Sequence, residues 1–329
     1  MAFIKKTIIL GVFAAAAAAG GFAWWSQQPI TTEEPPIEFT ISKGSTAGAA
    51  GQQMAQAGVP IQPLMFNMLA RFTGKSNKLK AGSYELKPNT TPLRLIDQLV
   101  RGEFAQESLT IIEGWTFKQM RAAIAAHKGL KHDTADLSDK ELMERVNPDF
   151  KDPEGLFFPD TYLFAKGSSE LQIFKQAHQM LIQRLQEAWE KRSADLPYTS
   201  PYQALTMASI VEKETGQKSE RSMIAAVFVN RLKLGMLLQT DPTVIYGMGA
   251  KFDGNIRKKD LETDTPYNTY LRTGLPPTPI SLPGVQSLMA AMSPAKTGAL
   301  YFVSRGNGTS QFSDNLTDHN RAVNQYQRQ

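Results

Sequence analysis

The longest apolar run of the chain lies at its N-terminus. Residues 7–25 carry no charge, follow two lysines and end in Trp24 and Trp25. At 1.5 Å per residue such a helix would span about 28 Å, close to the thickness of a bilayer core. The pattern predicts a transmembrane anchor, with residues 1–6 cytoplasmic by the positive-inside rule and the rest of the chain outside. A cleaved signal peptide is the alternative, and it would export the same residues.

A polar, proline-rich stretch follows the apolar run, and then the pattern changes to short alternating elements. Residues 26–36 predict a linker. Residues 37–103 predict a small α/β module of strand, two helices, strand and helix, which lie at 37–42, 46–57, 62–72, 80–86 and from 91 onward. Thr91 and Pro92 suit the N-cap and the first position of the last helix. The order of elements is that of small glycan-binding LysM modules, although a structural spacer has the same pattern.

The remaining residues, 107–329, predict a larger domain in which helices dominate. A strand near residues 109–112 precedes the helical patterns, and glycine and proline force turns in the aromatic segment 154–164. Amphipathic or apolar helices are expected at 117–126, 171–192, 201–213 and 220–234. The fold class predicted for the whole chain is therefore α+β, with an N-terminal transmembrane helix, a small LysM-like module and a larger mixed α+β domain.

Composition narrows the function classes only slightly. The net charge of +5 over 329 residues is a weak bias without a dense Lys/Arg run, so nucleic acid is not an expected partner. Cysteine is absent, which rules out disulfides, thiolate metal sites and cysteine nucleophiles. The four histidines show no ligand spacing, and no Gly-x-Ser-x-Gly turn is present. Neither a metal nor an organic cofactor is expected.

The helix predicted at 201–213 carries the candidate chemistry. It is apolar on nearly every face and should be buried, yet it ends in Glu212 and Glu214. Residues two apart on a helix point about 200° away from each other, so the pair cannot flank one glycosidic bond. At most one of them can enter a given cleft. Gly216 ends the helix and brings Glu214 to its last turn.

A carboxyl group at the end of a buried helix should have a raised pKa. Desolvation disfavours the anion, and the negative end of the helix dipole acts in the same direction. Such a group can stay protonated near neutral pH and act as a general acid on a leaving oxygen. Two glutamates at a frayed helix end, one of them paired with Lys218 or Arg221, are the structural alternative.

Amide, hydroxyl and aromatic side chains follow this helix in the sequence. These groups bind sugars, although turn-forming asparagine and core tyrosine are an equally simple explanation. The candidate substrate-binding residues are Glu212, Gln239, Thr240, Asp241, Tyr246, Tyr267, Asn268 and Tyr270.

Eight segments together make the chain resemble the endolytic murein transglycosylase family, also called MltG or YceG-like. They are KAGSYEL at 80–86, EGWT at 113–116, EGLFFPDTYLF at 154–164, ASIVEKET at 208–215, VFVNRL at 227–232, LQTDPTVIYG at 238–247, YNTY at 267–270 and TGLPPTPI at 273–280. The resemblance covers nearly the whole chain and makes residues 107–329 the catalytic domain.

The resemblance implies a single-pass inner-membrane protein whose catalytic domain faces the periplasm. Such enzymes cut nascent peptidoglycan strands between MurNAc and GlcNAc, leave a 1,6-anhydroMurNAc end, and act beside peptidoglycan synthases. The second glutamate of EKET is their catalytic acid, which corresponds to Glu214, and Glu212 would support it. The YNTY segment resembles a substrate-positioning element, which selects Tyr267 and Asn268.

Two other functions remain compatible with the sequence. A muramidase on the same scaffold would use water and leave a reducing MurNAc end. A non-catalytic envelope scaffold would bind glycan through the small module and recruit synthases.

Overall fold

The computed structural model describes residues 2–31, 37–214 and 216–327. Residue 1 of the predicted cytoplasmic segment, residues 32–36 of the predicted linker, Thr215 of the ASIVEKET segment and the last two residues lie outside that description. The chain divides into two compact units. Unit 1 comprises Met1–Glu107 with Leu163–Ser168, and unit 2 comprises Ser108–Tyr162 with Ser169–Gln329.

Unit 1 begins with a long apolar helix, α1 (Ala2–Ser26). Its Ile9–Ser26 portion is long and apolar enough to cross a membrane, and almost none of that portion is buried within the protein. The predicted N-terminal apolar helix is therefore present. Near its end, Trp24 is exposed, whereas Phe22 and Trp25 pack against the core of the following module.

The rest of unit 1 contains a two-stranded sheet and three helices. The elements are β1 (Ile37–Ile41), α2 (Ala47–Gln56), α3 (Pro63–Phe72), β2 (Gly82–Leu86) and α4 (Pro92–Arg101). Strands β1 and β2 are antiparallel, and Phe39 stacks on Tyr84 across the ladder at 5.6 Å between ring centroids. The hydroxyl oxygens of Thr46 and Thr91 accept hydrogen bonds at the N-termini of α2 and α4, which confirms the predicted cap at Thr91.

The first part of the predicted linker lies against this module. Ser26 and Ile30 are buried, and the Ile30 amide donates to the carbonyl of Thr90 at 2.8 Å. An apolar residue within a polar stretch accounts for the contact, because Ile30 gains more from burial than from extension into water. Residues 26–31 therefore continue the module.

Unit 2 is mainly helical. Its helices are α5 (Phe117–Ala126), α6 (Asp139–Val146), α7 (Glu170–Glu190), α8 (Pro201–Glu214), α9 (Arg221–Lys233), α10 (Asp241–Met248), α11 (Lys258–Leu261), α12 (Val285–Met292) and α13 (Leu316–Tyr326). The remaining strands of the chain are β3 (Gln106–Thr110), β4 (Leu130–Lys131), β5 (Thr161–Ala165), β6 (Ser168–Ser169), β7 (Tyr301–Ser304) and β8 (Ser310–Ser313). Strand β3 pairs with β5, β4 with β6, and β7 with β8. The predicted α+β class is confirmed.

One helix start differs from the sequence prediction. Ser219 suits the N-cap of the helix expected at 220–234, but that helix begins at Arg221, and Ser219 lies within a 3-10 turn at Lys218–Glu220 that precedes it. The reason is tertiary, because the Arg221 side chain is buried in an ion pair with Glu212.

Candidate active site

Helix α8 lies at the centre of unit 2 and packs against α7, α9, α10 and α12. Every residue from Ala204 to Val211 is buried. Small side chains such as Ala204 and Ala208 allow helices to approach from several directions. Ser209 fixes a loop to this helix, since its hydroxyl oxygen accepts the Ile280 amide at 3.0 Å and its carbonyl accepts the Ser281 hydroxyl at 3.1 Å. The TGLPPTPI segment thus docks directly on the helix that bears the candidate acid.

Glu212 is buried and forms hydrogen bonds that connect neighbouring helices of unit 2. Its side chain is only 5% exposed, and its Oε1 accepts Arg221 Nη2 at 2.8 Å. Its Oε2 accepts the amide of Gly284 at 2.9 Å. Both carboxylate oxygens are therefore engaged in joining α8 to α9 and to the start of α12, and Glu212 does not line the large groove described below.

Glu214, the last residue of α8, faces in a different direction and lines the groove. Its Oε1 accepts a hydrogen bond from the Thr240 hydroxyl, and the described residues offer Oε2 no hydrogen-bond partner. Burial raises the pKa of Glu214 to about 7, the nearby charge of Asp241 acts in the same direction, and the Thr240 hydrogen bond opposes both. A carboxyl group with such a pKa exists in both protonation states near neutral pH.

The turn before α10 holds the Thr240 hydroxyl in place. Thr240 is buried; its amide donates to Thr269 Oγ1 at 3.1 Å, and its carbonyl accepts the Thr243 hydroxyl at 2.8 Å. The preceding residue, Gln239, has a φ of 53°, an uncommon left-handed conformation for a residue other than glycine. Strain of this kind persists where the surroundings enforce it and is frequent at functional sites.

Asp241 follows directly and is a second carboxylate at the groove. It is the first residue of α10, where the positive end of the helix dipole favours its charge. Its Oδ1 accepts the Tyr270 hydroxyl at 2.5 Å. Tyr270 also lines the groove. Glu214, Asp241 and Tyr270 thus form one polar cluster, although they come from separate segments of the sequence.

The groove has a volume of about 1050 Å³ and lies entirely in unit 2. This is at the upper end of the roughly 300–1,000 Å³ that small-molecule sites occupy. Its walls come from α9, the turn at 237–241, the β7–β8 hairpin and α13. A groove of this size, lined by both polar and apolar side chains, suits part of a polymer better than one small molecule.

Arg231 supplies the positive charge of this groove. It is 8% exposed, and its guanidinium donates to the carbonyls of Leu300 at 2.7 Å, Leu238 at 2.9 Å and Leu237 at 3.2 Å. It also lies over the ring of Tyr301 at 5.0 Å. None of the carboxylates in the described residues forms an ion pair with it, and burial lowers its pKa. Arg231 therefore joins three wall segments while keeping its charge uncompensated.

His319 lies beside it on α13. Its ring stacks on Tyr301 with centroids 5.1 Å apart. Burial and the charge of Arg231 lower the pKa of His319, so the ring is neutral near pH 7.

The other sequence-predicted residues lie elsewhere in unit 2. Tyr246 and Tyr267 pack edge-to-face at 4.9 Å, and the Tyr246 hydroxyl donates to Glu154 Oε2 at 3.2 Å. Glu154 is buried and also accepts the amide of Phe117 at 3.0 Å. Its pKa is raised to about 7, chiefly by burial. This cluster is absent from the groove lining, as far as the described residues define it.

Asn268 is fully buried and organises its own loop. Its Nδ2 donates to the carbonyls of Leu261 at 2.9 Å and Thr263 at 2.7 Å, and its Oδ1 accepts the Tyr270 amide at 2.9 Å. Through that last bond Asn268 orients Tyr270, which does line the groove.

The groove also contains residues that the sequence did not single out. Arg231 lies within the VFVNRL segment, but no local pattern distinguishes this arginine from a surface residue. Tyr301 and His319 lie in the last thirty residues of the chain, where no motif of known chemistry pointed to them. Only the fold of α13 and the β7–β8 hairpin brings them to the groove.

Comparison with known proteins adds to this geometry. The model of the YceG-like family matches residues 39–325. An endolytic murein transglycosylase of Bacillus subtilis is 33% identical over 309 residues, which cover 88% of this chain and 84% of the relative. One from Streptococcus pneumoniae D39 is 28% identical over 86% of this chain, which spans only 57% of that longer protein.

A solved structure is also similar. The crystal structure of a yceG-like protein from Listeria monocytogenes has 34% sequence identity and a TM-score of 0.56, and the match covers 87% of this chain and 98% of that one. Because the family model matches most of the chain and the Bacillus relative aligns over most of both lengths, this protein belongs to the YceG-like family.

Proposed function

We propose that this protein is an endolytic lytic transglycosylase that cleaves peptidoglycan strands between MurNAc and GlcNAc and leaves a 1,6-anhydroMurNAc end. The names of its relatives support murein as the substrate. The observation that carries the proposal is Glu214, a carboxyl group with a pKa of about 7 on the wall of a large polar groove.

Glu214 acts first as the general acid. In its protonated form it gives its proton to the glycosidic oxygen of the GlcNAc leaving group, and the bond between that oxygen and C1 of MurNAc breaks. Thr240 holds Oε1, so Oε2 is the oxygen that can reach the substrate. The positive charge that develops at C1 is stabilised by the substrate's own N-acetyl oxygen, as in lytic transglycosylases generally.

The resulting carboxylate then acts as the base. It takes the proton of the C6 hydroxyl of the same MurNAc residue while that oxygen bonds to C1. The 1,6-anhydro ring closes, Glu214 regains its proton, and no water is consumed. A pKa near 7 suits both steps, because one group must donate and accept a proton at similar pH.

The groove would hold the glycan with hydroxyl, amide and aromatic groups. Gln239, Asp241 and Tyr270 lie beside Glu214 and would contact sugar hydroxyls. Arg231 would favour an anionic part of the strand, such as the carboxylates of stem peptides. Thr240 positions the acid, and Asn268 acts through Tyr270. Tyr246 and Tyr267 do not line the groove. They would contribute indirectly, by stabilising the segments against which they pack.

In the cell, α1 would anchor the chain in the inner membrane as a single pass, with the rest of unit 1 and all of unit 2 on the periplasmic side. The β-α-α-β order of the module supports a LysM-like role in holding glycan strands. Peptidoglycan synthases, which produce nascent strands at the same membrane, are the proposed partners.

A water-using muramidase is the second candidate, and Asp241 is the observation that favours it. Asp241 is close enough to raise the pKa of Glu214, and a second carboxylate could activate water or stabilise the cation. The two reactions differ in their product, because hydrolysis leaves a reducing MurNAc end and the lyase reaction leaves the anhydro end.

The test is digestion of purified peptidoglycan with mass analysis of the products. The wild-type chain should release anhydro-muropeptides, and Glu214→Gln should release none while retaining its fold, because a glutamine oxygen can still accept the Thr240 hydrogen bond. Glu187→Gln, on the exposed surface of α7, is the matched control and should keep full activity. Wild-type activity in Glu214→Gln would contradict the assignment, and reducing ends alone would establish the muramidase.

A further inference from the structure

One face of α3 presents large apolar side chains to the surface of unit 1. Leu64 is 71% exposed, Met68 39% and Phe72 75%. Spaced four residues apart, they form one stripe along the helix. The opposite face of α3 fills the module core with Phe66 and Leu69. The apolar stripe, Leu64–Met68–Phe72, is therefore not required for the core of the module.

This stripe is continuous with the apolar surface of α1. Phe72 contacts Phe22 edge-to-face, with ring centroids 5.7 Å apart. Phe22 lies within the portion of α1 that is long enough to cross a membrane, and the exposed Trp24 lies near the end of that portion. The end of the stripe thus lies where α1 would leave the bilayer.

The charges of the surrounding sequence fit an anionic membrane surface. Residues 39–84 contain five Lys or Arg residues and no Asp or Glu. Arg71 adjoins the stripe, and Lys78 follows α3; both are exposed. Lys75, just after the stripe, is paired with Asp97 of α4. The other four basic residues of this segment could meet anionic headgroups, and the segment itself contributes no carboxylate that would be repelled by them.

We propose that the apolar stripe of α3 inserts into the outer face of the same bilayer that α1 crosses. The module would then lie on the membrane with α3 in the interface, as amphipathic interfacial helices do. The proposal rests on the membrane-anchored arrangement proposed above and adds a second membrane contact to it. It would fix the orientation of the module relative to the membrane plane.

The absence of cysteine allows a direct test with single-cysteine variants of the full chain. Leu64→Cys and Phe72→Cys would each carry an environment-sensitive fluorophore on the stripe. Gln56→Cys, an exposed polar site on α2, is the matched control, and Phe13→Cys reports on the anchor itself. Each labelled protein is reconstituted into phosphatidylcholine–phosphatidylglycerol vesicles that contain lipids with nitroxide-bearing acyl chains.

The labels at 64 and 72 should show blue-shifted emission and severalfold stronger quenching by the nitroxide lipids than the label at 56. Equal quenching at 64, 72 and 56, with strong quenching at 13, would overturn the stripe proposal alone. Weak quenching at 13 would overturn the anchor and the stripe together. Labels at 64 and 72 that are shielded from aqueous iodide yet not quenched by lipid would show that protein covers the stripe, which also overturns it.

Discussion

Glu212 and Glu214 are two residues apart in sequence but differ in surroundings. Glu212 has both carboxylate oxygens occupied, one by Arg221 and one by the Gly284 amide. Glu214 has one oxygen held by Thr240 and the other without a partner among the described residues. Because residues two apart on a helix point in different directions, the Glu212 side chain points toward α9 and α12, whereas the Glu214 side chain points toward the groove. Identical side chains therefore differ in what they can do chemically.

We expect the activity to fall as pH rises through about 7. The pKa of Glu214 is raised from 4.5 to about 7, and the first step needs the protonated form, which is lost above that pH. The release of anhydro-muropeptides, measured as kcat/KM across pH, should decline about tenfold per unit on the alkaline side. A flat profile through this range would contradict the role of Glu214 as the acid.

Asp241→Asn should move that alkaline limb to lower pH. The charge of Asp241 raises the pKa of Glu214, so its removal lowers that pKa and shortens the range in which the acid is protonated. The same pH profile, measured on the variant, checks this. A limb that stays in place or moves upward would show that Asp241 does not act on Glu214 through charge.

Glu212→Gln should destabilise the protein, whereas Glu214→Gln should not. Removing the charge of Glu212 leaves the buried Arg221 with only the longer contact to Glu113 at 3.9 Å, and breaking a buried pair costs about 3–5 kcal/mol. Chemical denaturation of both variants beside the wild type provides the measurement. Equal stability of Glu212→Gln and the wild type would mean that the ion pair contributes no net stability.

At the scale of elements, α9 connects the walls of the groove. Its Arg231 reaches the carbonyl before β7 and two carbonyls of the turn that leads into α10. These carbonyls would otherwise lack a partner near a buried surface, which is costly. The turn that Arg231 holds includes Leu238, directly before Gln239 and Thr240, so the position of the acid depends on α9 as well as on α8.

Arg231→Lys should weaken both the fold and substrate binding. Lysine keeps the charge but lacks the planar fork that serves three carbonyls at once. Loss of charged hydrogen bonds to buried carbonyls should cost about 2–4 kcal/mol of stability. The free energy of unfolding and the KM for peptidoglycan are the measurements, and a variant that matches the wild type in both would show that Arg231 acts only as a charge.

At the scale of the whole molecule, the groove and the acid belong to unit 2, whereas α1 and the module belong to unit 1. Unit 2 contains a second carboxyl group with a raised pKa, Glu154, far from Glu214 in sequence and outside the groove lining. It braces the start of α5 and the hydroxyl of Tyr246. Its protonation therefore affects the stability of the unit.

Glu154→Gln should remove part of the pH dependence of stability. The pKa of Glu154 is raised from 4.5 to about 7, so in that range the folded state binds more protons than the unfolded state and stability falls as pH rises. The variant lacks this titrating group. Its free energy of unfolding, relative to that of the wild type, should therefore rise by on the order of 3 kcal/mol between about pH 5 and about pH 8. His178 and His319 have lowered pKa values, which make stability rise with pH. Their contributions are the same in both proteins and cancel in the comparison. A constant difference across this range would contradict the assignment.

Local sequence patterns were enough to predict part of the elements and the two acid candidates. Helix α5 and the cap at Thr91 follow from periodicity and capping, which are local properties of neighbouring residues. The apolar run of α1 is equally local. The geometry of one helix was enough to show that Glu212 and Glu214 point in different directions, because the angle between residues two apart does not depend on what surrounds the helix. The family resemblance then selected Glu214 as the acid.

The surroundings of the acid depend on how distant segments pack. Thr240, Asp241 and Tyr270 meet Glu214, and Arg231 and His319 face the same groove, because segments far apart in the chain pack together. Tyr246 lies in the same segment as Thr240 and Asp241, yet its hydroxyl bonds Glu154 and Tyr267 packs against its ring, outside the groove lining. Local propensity fixes which side of a helix is apolar, but the partner of each polar face depends on long-range contacts that no short window of sequence contains.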